Sequence, residues 1–217
     1  MTIYVSAFRW VPPFAQGFVR DLRVRWALEE AGLPYEVTLI GPETQGASDY
    51  RRWQPFGQVP AYRDDHVEMF ESGAIVLHIA QSSEALSPVT PSGRAQVTSW
   101  VIAALNSVEP QVQELGAIDL FHTGEAWTVE RRPQVEGALK ERLAPLSTWL
   151  DGKDYLVDGR FTAADLVMTC VLRELVESGL LAQFPALDLY RQRCVDRPAF
   201  ARALEAQMQT FRENTPA

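Results

Sequence analysis

The sequence predicts an α/β domain followed by an all-helical domain. Residues 2–40 change from strand to helix to strand periodicity, which is the pattern of a βαβ unit. A stretch rich in proline, serine and glycine, Ser87–Gly93, then interrupts the apolar pattern and is typical of a linker. Beyond it the apolar runs have helical spacing and no convincing strand pattern occurs. We therefore expect domains at residues 1–83 and 94–217, joined by a linker at 84–93.

The βαβ unit is predicted from three consecutive segments. Thr2–Phe8 places apolar residues at alternate positions, as a buried strand does. Phe18–Ala31 has apolar residues at helical spacing, and Gly32 and Pro34 follow as a stop signal. Tyr35–Ile40 alternates again. Because a helix connects the two strands, we expect them to pair in parallel.

Two short strands and a helix complete the predicted first domain. Ala61–Arg63 and Val67–Met69 flank the turn residues Asp64 and Asp65, which favours an antiparallel hairpin. A helix is expected to begin near Glu71. The helices predicted for the second domain are Arg94–Leu115, Arg131–Leu150 and Thr162–Ser178, with shorter ones from Ala186 and Pro198.

Composition argues against several classes of function. The chain of 217 residues has a formal net charge of −8, which opposes binding to a phosphate backbone, so we expect no nucleic-acid partner. No segment approaches the roughly 20 apolar residues of a membrane-spanning helix. The N-terminal residues lack the basic and apolar regions of a secretory signal. We expect a cytoplasmic protein without a membrane partner.

The cysteines and histidines do not suggest a metal site. Cys170 and Cys194 are far apart in the sequence and belong to no CxxC pattern. His66, His78 and His122 share no ligand spacing. We therefore expect no metal cofactor.

Two local patterns in the first domain carry candidate chemistry. In the segment from Pro55 to Ala61, a cis bond before Pro60 would turn the backbone of Val59 outward to pair with an extended peptide, whereas a trans proline at a strand start is the commoner alternative. Glu71 and Ser72 open a helix, where unpaired amides bind carboxylates; a simple helix cap is the alternative.

A third pattern is structural. Thr162 and Asp165 have the spacing of a capping box at the start of a helix in the second domain. We assign no catalytic role to either residue.

The ordered set of motifs resembles the cytosolic glutathione transferase superfamily, of a bacterial type and unclear class. The resemblance rests on ALEEAGLPYE, QPFGQVPAY, ESGAIVLHIA and LVDGRFTAADLVM, and it extends over essentially the whole chain. It implies a thioredoxin-like N-terminal domain that binds glutathione and an all-α C-terminal domain that lines a hydrophobic co-substrate pocket. It also implies a homodimer.

The resemblance assigns five residues to glutathione binding. Val59 would pair through its backbone with the cysteinyl part of glutathione, next to the cis proline that the family has at Pro60. Gln58 lies where the family has a polar or basic residue near the glycyl end. Glu71 and Ser72 match the acidic residue and the serine that hold the γ-glutamyl amine and carboxylate.

The sequence departs from the family at the residue that activates the glutathione thiol. The family generally uses a tyrosine, serine or cysteine after the first strand or at the start of the first helix, but Phe18–Asp21 contains none of these. Arg20 could stabilise the thiolate by its charge, and Ser6 is the nearest hydroxyl. Backbone amides at the helix start are a third alternative.

The function expected from these observations is that of a detoxification enzyme. It would bind glutathione as co-substrate, activate its thiol and add it to a small hydrophobic electrophile. The alternatives are a glutathione-dependent peroxidase, and a noncatalytic module of the same fold that binds glutathione or a partner.

Overall fold

The computed structural model describes residues 2–216 and contains four strands and ten α-helices in that range. The strands are β1 (Ile3–Phe8), β2 (Tyr35–Ile40), β3 (Ala61–Arg63) and β4 (Glu68–Phe70). The helices are α1 (Asp21–Ala31), α2 (Pro42–Gln45), α3 (Ser48–Trp53), α4 (Ser72–Gln81), α5 (Pro91–Ala103), α6 (Glu109–Phe121), α7 (Ala126–Trp149), α8 (Ala163–Arg173), α9 (Pro185–Val195) and α10 (Pro198–Glu213). No helix in the described range is long and apolar enough to cross a membrane.

The chain divides into two compact units. The first unit comprises the residues up to Ser87 together with those from Asp196 onward, and the second is Pro88–Val195. The division after Ser87 falls inside the predicted linker at 84–93. The allocation of the C-terminal residues differs from the predicted boundaries, because α10 packs against α1 in the first unit.

The first unit is built on a mixed four-stranded sheet in the order β2, β1, β3, β4. β1 and β2 pair in parallel, with Val5 opposite Val37, and β1 pairs antiparallel with β3. β3 and β4 form an antiparallel hairpin in which Ala61 lies opposite Phe70. The predicted βαβ unit and hairpin are therefore confirmed; β2 and β3 have the predicted bounds, and the other boundaries move by at most three residues.

Helix α10 is attached to α1 by aromatic and ionic contacts. The rings of Trp26 and Phe200 meet edge to face, with centroids 4.8 Å apart. Arg197 donates two hydrogen bonds to the carboxylate of Glu30, at 2.6 and 2.8 Å. Two-point pairing of arginine with a carboxylate fixes orientation as well as distance. These contacts explain why the last helix belongs to the first unit.

The second unit is entirely helical apart from one isolated β-bridge among its residues. The predicted helix Arg94–Leu115 is present as α5, a π-helical turn at Ala104–Val108 and the start of α6. Pro110 follows this turn and has no amide to donate, which favours a break in regular α-helical bonding.

The predicted capping box begins α8. Asp165 accepts hydrogen bonds from the amide and hydroxyl of Thr162, both at 2.9 Å. It also accepts from the amide of Leu156 and the hydroxyl of Tyr190. Burial raises the pKa of Asp165 to about 6, although these four donors act in the opposite direction. These contacts confirm the predicted capping box and attach the start of α8 to Leu156 and to α9.

Candidate functional site

The segment from Gln54 to Ala61 is held by hydrogen bonds to its backbone. The buried side chain of Gln54 accepts from the amides of Phe56 (2.7 Å) and Gln58 (3.2 Å). The hydroxyl of Tyr50 donates to the carbonyl of Gln58, and the amide of Ala61 donates to the hydroxyl of Ser6 at 2.7 Å. The backbone is therefore tied on both sides of the Val59–Pro60 bond, which is cis.

Val59 differs from its neighbours in this segment. Within residues 2–216, neither its amide nor its carbonyl has a hydrogen-bond partner. Its side chain is buried in a small cluster with Ile40 and Tyr50. An unpaired amide and carbonyl on a fixed backbone are the groups that an added extended peptide requires.

Glu71 and Ser72 lie where β4 passes into α4. Ser72 is the first residue of α4 and is only 4% exposed, whereas Glu71 is exposed and caps the helix with a φ of 70°. A positive φ is rare for a side chain other than glycine and costs of order 1–3 kcal/mol, and such residues cluster at functional sites. The strained backbone at Glu71 therefore supports a functional assignment that the sequence proposed on other grounds.

The hairpin brings the two predicted binding segments to one end of the sheet. Ala61 and Phe70 are paired opposite each other. Val59 and Pro60 precede Ala61, while Glu71 and Ser72 follow Phe70. Both pairs of residues therefore leave the hairpin at the same end. Three extended residues span about 10 Å, a length suited to bridging two such neighbouring segments.

Arg23 is a neighbour of Ser72 that the sequence analysis did not identify. It lies on α1, is 2% exposed, and donates from Nη1 to Oγ of Ser72 at 3.3 Å. A guanidinium group can only donate, so Ser72 accepts in this contact and keeps its own proton for another acceptor. The available signal was an arginine among the apolar positions of α1, but an arginine on an amphipathic helix is equally compatible with an exposed position and with an anion site.

The two candidates for thiol activation occupy different environments. Arg20 is half-buried and immediately precedes α1. Ser6 is fully buried within β1, where its Oγ accepts from the Ala61 amide and bonds the Tyr50 hydroxyl at 2.9 Å. Because both contacts are internal, Ser6 is a poor candidate for contact with a ligand thiol, and the geometry favours Arg20 of the two.

The third alternative for thiol activation is a set of backbone amides at the start of α1, and hydrogen bonds within the first turn already occupy two of them. The amide of Leu22 donates to the carbonyl of Val19 at 3.0 Å, and that of Arg23 to the carbonyl of Arg20 at 3.2 Å. These two amides are therefore engaged within the chain and do not point to a ligand. Helix α1 also begins at Asp21, three residues later than predicted.

A cleft in the first unit lies away from these residues. Its volume is about 690 Å³, and it is lined by residues of α1, β2 and α10, including Leu28, Tyr35 and Arg202. None of the predicted site residues lines it. No group of three or more histidine, cysteine, aspartate or glutamate side chains suited to a metal occurs in the described part of the chain.

Comparison with known families identifies the class of protein. The family model for the N-terminal domain of glutathione S-transferases matches residues 15–81, and that for the C-terminal domain matches residues 125–198. The two models together match more than half of the chain. The chain belongs to the glutathione S-transferase superfamily.

Two solved glutathione transferases have the same fold over nearly the whole chain. The enzyme from Burkholderia graminis, solved with two glutathione molecules per subunit, has a TM-score of 0.82 and 25% identity, covering 94% of this chain and 88% of its own. A family member from Pseudomonas fluorescens, also solved with two glutathione molecules bound, has a TM-score of 0.82 and 26% identity, covering 94% and 92%.

The curated relatives belong to a different functional class. Elongation factor 1-gamma from Rattus norvegicus is 29% identical over 165 residues, which is 73% of this chain and 36% of that protein. The human protein is 28% identical over 169 residues, or 75% and 37%. The chain thus spans little more than a third of these relatives.

Proposed function

We propose that this protein binds glutathione in its first unit, activates the glutathione thiol and joins glutathione through its sulfur to a small hydrophobic electrophile. The observation that carries the proposal is that the two predicted binding segments lie at the same end of the β3–β4 hairpin. Val59 offers an unpaired amide and carbonyl there, and the Glu71–Ser72 helix start adjoins it. The solved relatives with bound glutathione support the same ligand.

Each part of glutathione has a complementary group in this proposal. The cysteinyl backbone pairs with Val59, and the exposed Gln58 lies towards the glycyl end. The γ-glutamyl carboxylate accepts a hydrogen bond from the hydroxyl of Ser72 and is stabilised by the N-terminus of α4, while the γ-glutamyl ammonium group faces the carboxylate of Glu71. Arg23 adds a buried positive charge beside Ser72. Arg20 is the proposed group that favours the thiolate.

A noncatalytic function is the second candidate, and two observations favour it. Ser6, the hydroxyl candidate for thiol activation, is engaged in internal hydrogen bonds, and the curated relatives are elongation factor 1-gamma. In this version the site holds glutathione or a partner without activating a thiol. A homodimer and a cytoplasmic location remain part of the proposal in either version.

The deciding experiment is calorimetric titration with glutathione, combined with the ultraviolet thiolate band of the complex followed against pH. S-methylglutathione is the matched ligand, since it should bind without producing the band. Binding with a thiol pKa well below the free value supports the transferase. Binding without a shift supports the noncatalytic version, and absence of binding refutes the site.

A further inference from the structure

One continuous chain of hydrogen bonds connects the two sides of the Val59–Pro60 segment. The amide of Ala61 contacts Oγ of Ser6 at 2.7 Å, and Oγ of Ser6 contacts the hydroxyl of Tyr50 at 2.9 Å. The hydroxyl of Tyr50 then contacts the carbonyl oxygen of Gln58. Two residues that are distant from each other in sequence, Ser6 and Tyr50, thus meet at the short segment from Gln58 to Ala61, and we call these contacts the Ser6–Tyr50 relay.

The direction of every hydrogen bond in the relay is fixed by its two ends. A backbone amide can only donate and a carbonyl can only accept. Tyr50 must therefore give its single proton to Gln58, which requires Ser6 to give its proton to Tyr50. The Ala61 amide supplies the remaining bond to Ser6. Neither hydroxyl keeps a proton for any other group.

Burial and packing hold the relay in place. Ser6 is fully buried and Tyr50 is 6% exposed, so water cannot easily replace either partner, and an unpaired group there would be costly. Tyr50 packs against Val59 and Ile40. One turn further along α3, Trp53 donates from its indole nitrogen to the carbonyl of Tyr62 at 3.0 Å. Helix α3 is therefore fixed to β1 and to the segment before β3 through Tyr50, and to β3 itself through Trp53.

We propose that Ser6 and Tyr50 are positioning residues that fix the Gln58 carbonyl and the Ala61 amide, so that the unpaired backbone of Val59 is presented to the cysteinyl part of glutathione. This inference rests on the proposed glutathione site. It gives Ser6 a function other than thiol activation. It also gives Tyr50, which the sequence analysis passed over, a function at the site without contact with the ligand.

The test combines a conservative substitution with a matched pair of ligands. Tyr50→Phe keeps the ring and its packing but removes the central hydroxyl. The ligands are S-methylglutathione and its ester analogue, in which oxygen replaces the cysteinyl N–H that would pair with Val59. We expect Tyr50→Phe to lower the affinity for S-methylglutathione five- to tenfold, and to lower that for the ester analogue, which still pairs with the Val59 amide, only about two- to threefold.

Tyr62→Phe is the control, because it removes a buried tyrosine hydroxyl that bonds Asp64 at 2.8 Å and lies outside the relay. It should leave both affinities unchanged. Ser6→Ala is the second variant, and its effect should not add to that of Tyr50→Phe, because both interrupt one chain of bonds. Circular dichroism melting establishes that each variant is folded.

The possible failures are distinguishable. A wild-type protein that binds neither ligand refutes the glutathione site and the relay together. A wild-type protein that binds, with a Tyr50→Phe variant of unchanged affinity, leaves the site standing and refutes the relay's function. An equal loss for both ligands also refutes it, since that pattern indicates general disruption and not the presentation of Val59.

Discussion

Replacement of Ser72 by alanine is the most direct test of the γ-glutamyl site. Ser72 is the first residue of α4, is 4% exposed and accepts a hydrogen bond from the buried Arg23. Its own proton is therefore available to a ligand carboxylate. A hydrogen bond to a charged group contributes about 1.5–3 kcal/mol. Because each 1.4 kcal/mol is about tenfold in affinity, Ser72→Ala should weaken glutathione binding about tenfold to a hundredfold.

The assay is calorimetric titration of wild type and variant with glutathione under identical buffer and salt. Ser82→Ala is the matched control, since Ser82 is an exposed serine at the opposite end of α4 and should leave affinity unchanged. The variant also deprives Arg23 of one acceptor, so its thermal stability should be measured in parallel. A folded Ser72→Ala protein whose affinity changes less than twofold would refute the reasoning.

Three further predictions concern backbone strain, the thiol and a buried carboxyl. Glu71→Gly relieves the positive φ and should raise the free energy of unfolding in urea by about 1 kcal/mol, while Glu71→Ala should not; equal stabilities would contradict this. Arg20→Ala should raise the pKa of the bound thiol by about one unit with little change in affinity, as measured by the ultraviolet titration, and an unchanged pKa excludes it as activator. Asp165, whose pKa burial raises to about 6 from 3.8, binds more protons folded than unfolded between those values, so its contribution to stability falls as pH rises from about 4 to 6. The stability deficit of Asp165→Asn should therefore be larger at pH 4 than at pH 7, and a deficit that grows with pH would contradict this assignment.

Local patterns predicted the strands and the longer helices of this protein, although not the short helices α2 and α3, because these patterns depend on near neighbours in sequence. Alternating apolar residues in β1 and β2 and the aspartates after β3 specify strands and a turn by themselves. The Thr162 and Asp165 capping box is likewise local. The five proposed glutathione contacts also come from two short segments, whose common position at one end of the hairpin follows from the register of β3 and β4.

Features that depend on distant residues could not be predicted in this way. The contact between Arg23 and Ser72 spans 49 positions and that between Ser6 and Tyr50 spans 44. A serine in a strand and an arginine on a helix look the same in sequence whether or not such partners exist. The packing of α10 on α1 could not be predicted for the same reason, because the sequence of an amphipathic helix does not specify which unit will cover its apolar face.

The position of α10 has a consequence for the order in which the protein is made. The second unit is one continuous stretch, Pro88–Val195, whereas the first unit needs residues from both ends of the chain. During synthesis from the N-terminus, Trp26 and Glu30 emerge from the ribosome long before Phe200 and Arg197, with which they pair. The unit that is translated first is therefore the last to be completed.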